Sequence, residues 1–127
     1  METYKTKYAT IWEDQNGIIH IVMKEKFVIN EEDAKEHIAT CLKIANNQRR
    51  KILYDISKIS NLTNAGLKRF MDPQISSLTI ATAVIVGLRS PLVSMAISFM
   101  LKLDREPFPI KIFTNEKEAM VWLEEFK

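Results

Sequence analysis

Three glycines, two histidines and one cysteine are all that this 127-residue chain holds of the residues on which most site chemistry is built. With glycine only at Gly17, Gly66 and Gly87, neither a phosphate-cradling P-loop nor a dinucleotide-binding fingerprint can be written. A lone thiol, Cys41, closes no internal disulfide, and no charged-then-apolar leader precedes Tyr8. Secretion therefore has no support, and the cytoplasm is the expected location. An excess of one charge is missing too: the net is +2 with the basic residues scattered, which leaves no electrostatic footprint for nucleic acid. The most apolar region, Leu78 to Leu103, is cut by Arg89, Pro91 and Lys102, so no transmembrane segment is expected.

The usual catalytic constellations are also out of reach. Zinc wants about three or four nitrogen or sulfur ligands, and the chain offers His20, His37 and Cys41. His37 and Cys41, four apart on one helix, share a face, but two ligands do not make a site, and packing is the expected role. No serine sits in a Gly-x-Ser-x-Gly elbow, and no nucleophile triad can be assembled. Asp55, at a strand end, has the chemistry of a general base, yet an acid there is expected to cap the following loop through backbone N–H groups. No enzyme, cofactor or metal is expected.

What is present is an ordinary globular composition, 46% apolar and 27% charged, in a length that makes residues 1–127 one domain. Tyr8–Glu13 and Ile18–Met23 alternate as strands around Asp14-Gln-Asn-Gly17, a turn sequence tolerant of positive φ, and form a hairpin. Asn30 caps a helix opened by Glu31, Glu32 and Asp33, whose stripe is Ala34, Ile38, Cys41, Leu42 and Ala45, with the basic run Arg49-Arg50-Lys51 past its end. Arg50–Phe70 reads as a strand, a polar loop and the opening turn of a helix, with the apolar run Ile52–Tyr54 stopping at Asp55. Small polar residues follow (Ser57, Ser60, Asn61, Thr63), and a helix starts near Asn64 and is bent or ended by Pro73. Thr79–Gly87 is a nearly continuous apolar run suited to a parallel strand covered on both faces, placed centrally. Ser90 and Pro91 open a helix over Leu92–Leu103; Ile110–Phe113 is the last strand; Thr114 or Asn115 caps a final helix with the stripe Ala119, Trp122, Leu123 and Phe126. The alternation predicts an α/β sandwich: an N-terminal β-hairpin, then alternating helices and strands, with a mixed, mostly parallel sheet of about five strands and four helices.

Two surfaces stand out. Arg89 and Ser90 follow the Thr79–Gly87 strand as Ser57 and Ser60 follow the preceding one, so both loops open on one end of the sheet, a rim for a small anion or a partner's carboxylate. In Leu92–Leu103 the apolar residues cover roughly 240° of a helix, more than one sheet buries. The surplus, Val93, Ile97, Met100 and Leu101, calls for another helix, a homodimer contact or a lipid-like ligand, and methionines such as Met95 and Met100 adapt to irregular ligands.

Leu62-Thr63-Asn64-Ala65-Gly66-Leu67 resembles the loop-to-helix segment of STAS domains, the anti-sigma factor antagonist or SpoIIAA-like fold, whose pattern there is an acid, a phosphorylatable serine, a small residue, glycine and leucine. Ile52–Ile59 resembles the preceding strand and its exit, and the order of elements matches over roughly Tyr8 to Phe126. More closely, the chain is similar to small uncharacterised bacterial STAS-like proteins, grouped loosely with the lipid-binding CRAL-TRIO fold. The resemblance implies a non-enzymatic regulatory module that binds another protein. Its partner or anion rim would comprise Asp55, Ser57, Ser60, Thr63, Asn64, Gly66, Arg89 and Ser90. Here Asn64 stands at the phosphoserine position and Thr63 at the acid's, so the family's phosphorylatable group is absent there; Thr63, Ser57 and Ser60 are the hydroxyls that remain. The expectation is a self-associating interaction module, with a carrier or sensor of an apolar small molecule on the Leu92–Leu103 helix as the alternative. Ile97→Asp is expected to turn a self-associated protein into a monomer with its circular dichroism unchanged; an unaltered oligomer by light scattering would remove that helix from the seam.

Overall fold

The computed structural model describes residues 3–6, 9–24, 28–29, 31–58, 61–62, 77–87 and 108–126. The helices expected near 64–73 and over 92–103 lie outside them. The described elements are β1 (Thr3–Lys5), β2 (Ala9–Glu13), β3 (Ile19–Met23), β4 (Val28–Ile29), α1 (Glu31–Ala45), β5 (Arg50–Asp55), β6 (Asn61–Leu62), β7 (Thr79–Ile85), β8 (Ile110–Phe113) and the C-terminal helix, α2 (Glu116–Glu124). Six strands form one sheet in the order β1-β2-β3-β5-β7-β8, and β4 and β6 make a separate parallel pair.

The hairpin forms as the turn sequence predicts, with Ile11 opposite Ile21 and Trp12 opposite His20. Gly17 alone in that turn takes a positive φ, +81°, and donates its N–H to the Asp14 carbonyl at 3.0 Å. From β3 onward the pairing is parallel, β3 to β5, β5 to β7 and β7 to β8, which makes the sheet mixed and mostly parallel.

Two expectations need correction, the number of strands and the place of β7. The sheet has six strands rather than about five, because β1 pairs antiparallel with β2; three residues, two of them exposed, are too short for a period-two signal. The strand read at the head of Arg50–Phe70 runs from Arg50 to Asp55, so Arg50 and Lys51 belong to the sheet. Their charges do not forbid this: the Arg50 guanidinium pairs with Glu13 across the sheet at 2.8 Å. β7 is flanked on both sides, as a buried parallel strand must be, but β3 and β5 hold the middle of the order.

Strand alternation sorts the core to two faces. On one face Ile11, Ile19, Ile21, Met23 and Ile52 pack with Cys41 and Ala45 of α1. On the other, Leu53, Ala81, Ala83 and Ile85 pack with Ala119 and Leu123 of α2. The small Ala81 and Ala83 let α2 lie close on β7. Helix α1 ends without glycine: Asn46 and Asn47 take left-handed φ of 51° and 60°, and the Asn46 N–H donates to the Leu42 carbonyl at 3.2 Å. Asparagine tolerates that conformation best after glycine. Asn115 caps α2, its side-chain oxygen accepting from the Glu118 N–H at 3.2 Å.

The α2 stripe is not uniform. Leu123 is fully buried, whereas Trp122 is half-buried and makes tilted and edge-on contacts with Phe113 and Phe126. Leu123→Ala is therefore expected to cost about 2–5 kcal/mol, and Trp122→Ala less than Leu123→Ala despite its larger side chain. Urea denaturation of the two variants checks this, and the reverse order would mean the helix is phased differently.

Candidate functional site

Because β5, β7 and β8 are parallel, their carboxyl ends open on one side of the sheet, where ligands of open α/β sheets usually bind. Main-chain bonds carry the ladder to that rim: Ile56 N–H donates to the Ile85 carbonyl and Val86 N–H to the Phe113 carbonyl, each at 2.9 Å. At the end of β5 the Asp55 Oδ1 accepts from the Ser57 N–H at 2.9 Å and from the Ser57 Oγ at 2.6 Å. A single carboxylate oxygen thus closes the turn twice, and it stabilises the turn in the way short polar side chains do at strand exits. Asp55 and Ser57 are the predicted rim residues that the described structure brings together. Ser60, Thr63, Asn64, Gly66, Arg89 and Ser90, and the apolar set Val93, Ile97, Met100 and Leu101, lie outside the described residues.

A second polar cluster is sealed between α1 and β5. Tyr54 Oη lies 2.6 Å from His37 Nε2, and Cys41 Sγ lies 3.6 Å from the same nitrogen. Both neighbours are proton donors, which suits a neutral imidazole with its lone pair on Nε2. Burial sets the ionisation of His37 and Cys41: it pushes the imidazole down to about 3 and the thiol up to about 12. Neither is a poised acid, base or nucleophile. Spacing in the sequence put His37 and Cys41 on one helical face; Tyr54 was missed as their partner, since a strand-to-helix contact leaves no local pattern.

A third cluster sits at the hairpin end of the sheet. His20 Nε2 donates to Asp14 Oδ2 at 2.8 Å, and the Trp12 indole stacks on the imidazole with 4.9 Å between centroids and 11° between planes. Asp14 Oδ1 accepts from the Asn16 and Ile18 N–H groups at 2.8 and 3.0 Å. Burial alone would raise the Asp14 carboxyl, but the His20 bond and the two backbone donors outweigh it and hold it below its ordinary value. Sequence reasoning did not find this pair. The hairpin register, which sets Trp12 opposite His20, was the available signal. Among the described residues no group of three His, Cys, Asp or Glu is placed to hold a metal ion, and no helix is long and apolar enough to cross a membrane.

With this geometry in hand, comparison with known proteins decides the family. The model of a domain of unknown function, DUF7793, matches residues 11–127. The chain belongs to that family. None of the curated proteins matches it. Among solved structures, this DUF7793 chain is similar to an uncharacterised protein from the DUF3478 family with a SpoIIAA-like fold, from Shewanella loihica PV-4. The identity is 16% and the TM-score 0.63, over 94% of this chain and 98% of that one. The DUF7793 chain accordingly has an α/β SpoIIAA-like fold, which that likeness shows without extending to activity.

The buried imidazole generates a pH prediction. A group whose folded-state value lies below its unfolded one binds more protons when unfolded, so stability rises with pH. For His37 the window runs from about 3 up to the ordinary 6.5; its contribution is complete above the window and is lost as pH falls through it, by up to about 1.4 kcal/mol per unit. Urea midpoints at pH 7 and pH 4.5 should separate more for the wild type than for His37→Gln. Equal separations would mean that the imidazole is solvated.

Proposed function

We propose that this chain is a non-enzymatic protein-interaction module of the SpoIIAA-like kind, regulatory in role, that binds a partner protein through the rim at the carboxyl ends of its parallel strands and also associates with itself. The observation that carries the reading is Asp55. Its Oδ1 accepts from the Ser57 N–H and hydroxyl, so this carboxylate is engaged in shaping the turn at the end of β5. A turn ordered in this way presents a fixed pattern of polar groups, which suits recognition. His37 and Cys41, which lie between α1 and β5, are sealed in the core with values far from neutrality. Self-association is supported by the apolar excess of the 92–103 stretch, which is more than one sheet face covers.

Native mass spectrometry of the protein as purified tests the reading, because one spectrum reports subunit number and retained ligand together. A dimer without added mass is the expected result. A species carrying a lipid-sized adduct removable by organic solvent would replace the interaction module with the carrier of an apolar molecule.

A further inference from the structure

Strand β8 ends the six-strand order with β7 on one side and, among the described residues, no strand on the other. The ladder fixes which of its backbone groups look outward. The Pro109 and Phe113 carbonyls accept from the Thr82 and Val86 N–H groups at 2.9 Å each. Parallel ladders alternate along a strand, so Lys111 also turns its backbone to β7, while Ile110, Ile112 and Thr114 present theirs to the side away from it, where no described strand lies. The opposite edge is guarded differently. β1 has three residues, among them exposed Thr3 and Lys5, and just past it Lys24 Nζ donates to the Thr6 carbonyl at 2.6 Å. Short length and lysines are the usual means of blunting an edge. β8 carries one charge and three half-buried β-favouring residues, Ile110, Ile112 and Phe113.

We infer that β8 is a docking edge for a second copy of this chain, added antiparallel about a twofold axis at Ile112. That axis sets Ile112 opposite its own copy, Ile110 opposite Thr114 and Lys111 opposite Phe113. Backbone parity agrees: a twofold at an outward-facing residue maps outward residues on outward residues, so the central pair exchanges both hydrogen bonds and each Ile110–Thr114 pair does the same. A twofold at Lys111 or Phe113 would centre on backbone already bonded to β7, and at Lys111 it would also oppose like charges. Side chains agree as well. Ile112, packed on the α1-side core, meets a second Ile112 on that face and extends the apolar layer. On the other face Lys111 Nζ already lies 5.5 Å from the Phe113 ring of its own chain, and the pairing offers it the same ring type across the seam. Helix α2, which covers β8 on that face, carries Val121, a large apolar side chain that is 57% exposed.

This inference rests on the self-association in the proposed function but relocates its seam, and amide exchange followed by NMR at high and low protein concentration separates the two. The Ile110, Ile112 and Thr114 amides should exchange at least tenfold more slowly in the concentrated sample, while those of Lys111 and Phe113 are protected in both. Ile112→Pro removes an outward N–H and no bond to β7, and should give a monomer by sedimentation. Outward amides that exchange equally fast at both concentrations, or a dimer that survives Ile112→Pro, would overturn the β8 seam while leaving self-association through another surface standing. A monomer at every concentration would overturn both. If Ile112→Pro fails to fold, the wild-type exchange pattern decides.

Discussion

Parallel strands demand cover on both faces, and the architecture of this chain follows from meeting that demand along β3, β5 and β7. Crossover connections place helices on the sheet faces, and the residues respond accordingly: Ile52 and Leu53, adjacent in β5, face opposite sides, and both are buried. Alanines at 81 and 83 keep β7 thin enough for α2 to approach, while larger residues, Ile11, Ile21 and Met23, fill the α1 side. The antiparallel strands β1 and β2 then extend a platform whose register the parallel trio already sets.

The same demand decides where polar chemistry is found. Two kinds of place hold polar groups here: strand ends, where backbone donors need partners, and points where a side chain crosses from sheet to helix. Asp55 and Asp14 occupy the first, at opposite ends of the sheet, and each holds a turn with a single oxygen, Oδ1. Tyr54, His37 and Cys41 occupy the second, joined through His37 Nε2, with His37 and Cys41 displaced from neutral pH behaviour by burial. In both places a local partner offsets part of the cost of desolvating a polar group.

Legibility in the sequence tracks the locality of the signal. The hairpin could be read from Asp14 to Gly17 between alternating strands, α1 from its 3.6-residue stripe, and β7 from an apolar run too dense for a half-exposed strand. Asp55 was readable as a turn-closing acid because its partner is two residues away. β1, β4 and β6 could not be read, since two or three residues carry no period. Nor could the contacts of His37 with Tyr54 or of His20 with Asp14, which arise only when a helix settles on a strand or two hairpin strands take their register. Arg50 and Lys51 stand in a strand despite their charge, and the pairing of Arg50 with Glu13 is a tertiary contact that the sequence does not announce.

The central claim is that the carboxyl-end rim is ordered by Asp55 on a platform set by the parallel trio, and the exchange rate of the Ser57 amide proton tests it most directly. That amide lies beyond the last strand residue and has no place in the ladder, so among the described residues its bond to Asp55 Oδ1 is what protects it. The account predicts that Ser57 exchanges slowly in the wild type and fast in Asp55→Ala, with Leu53 and Ala83 protected in both. A Ser57 amide that exchanges in the wild type as freely as that of exposed Lys58 would contradict it.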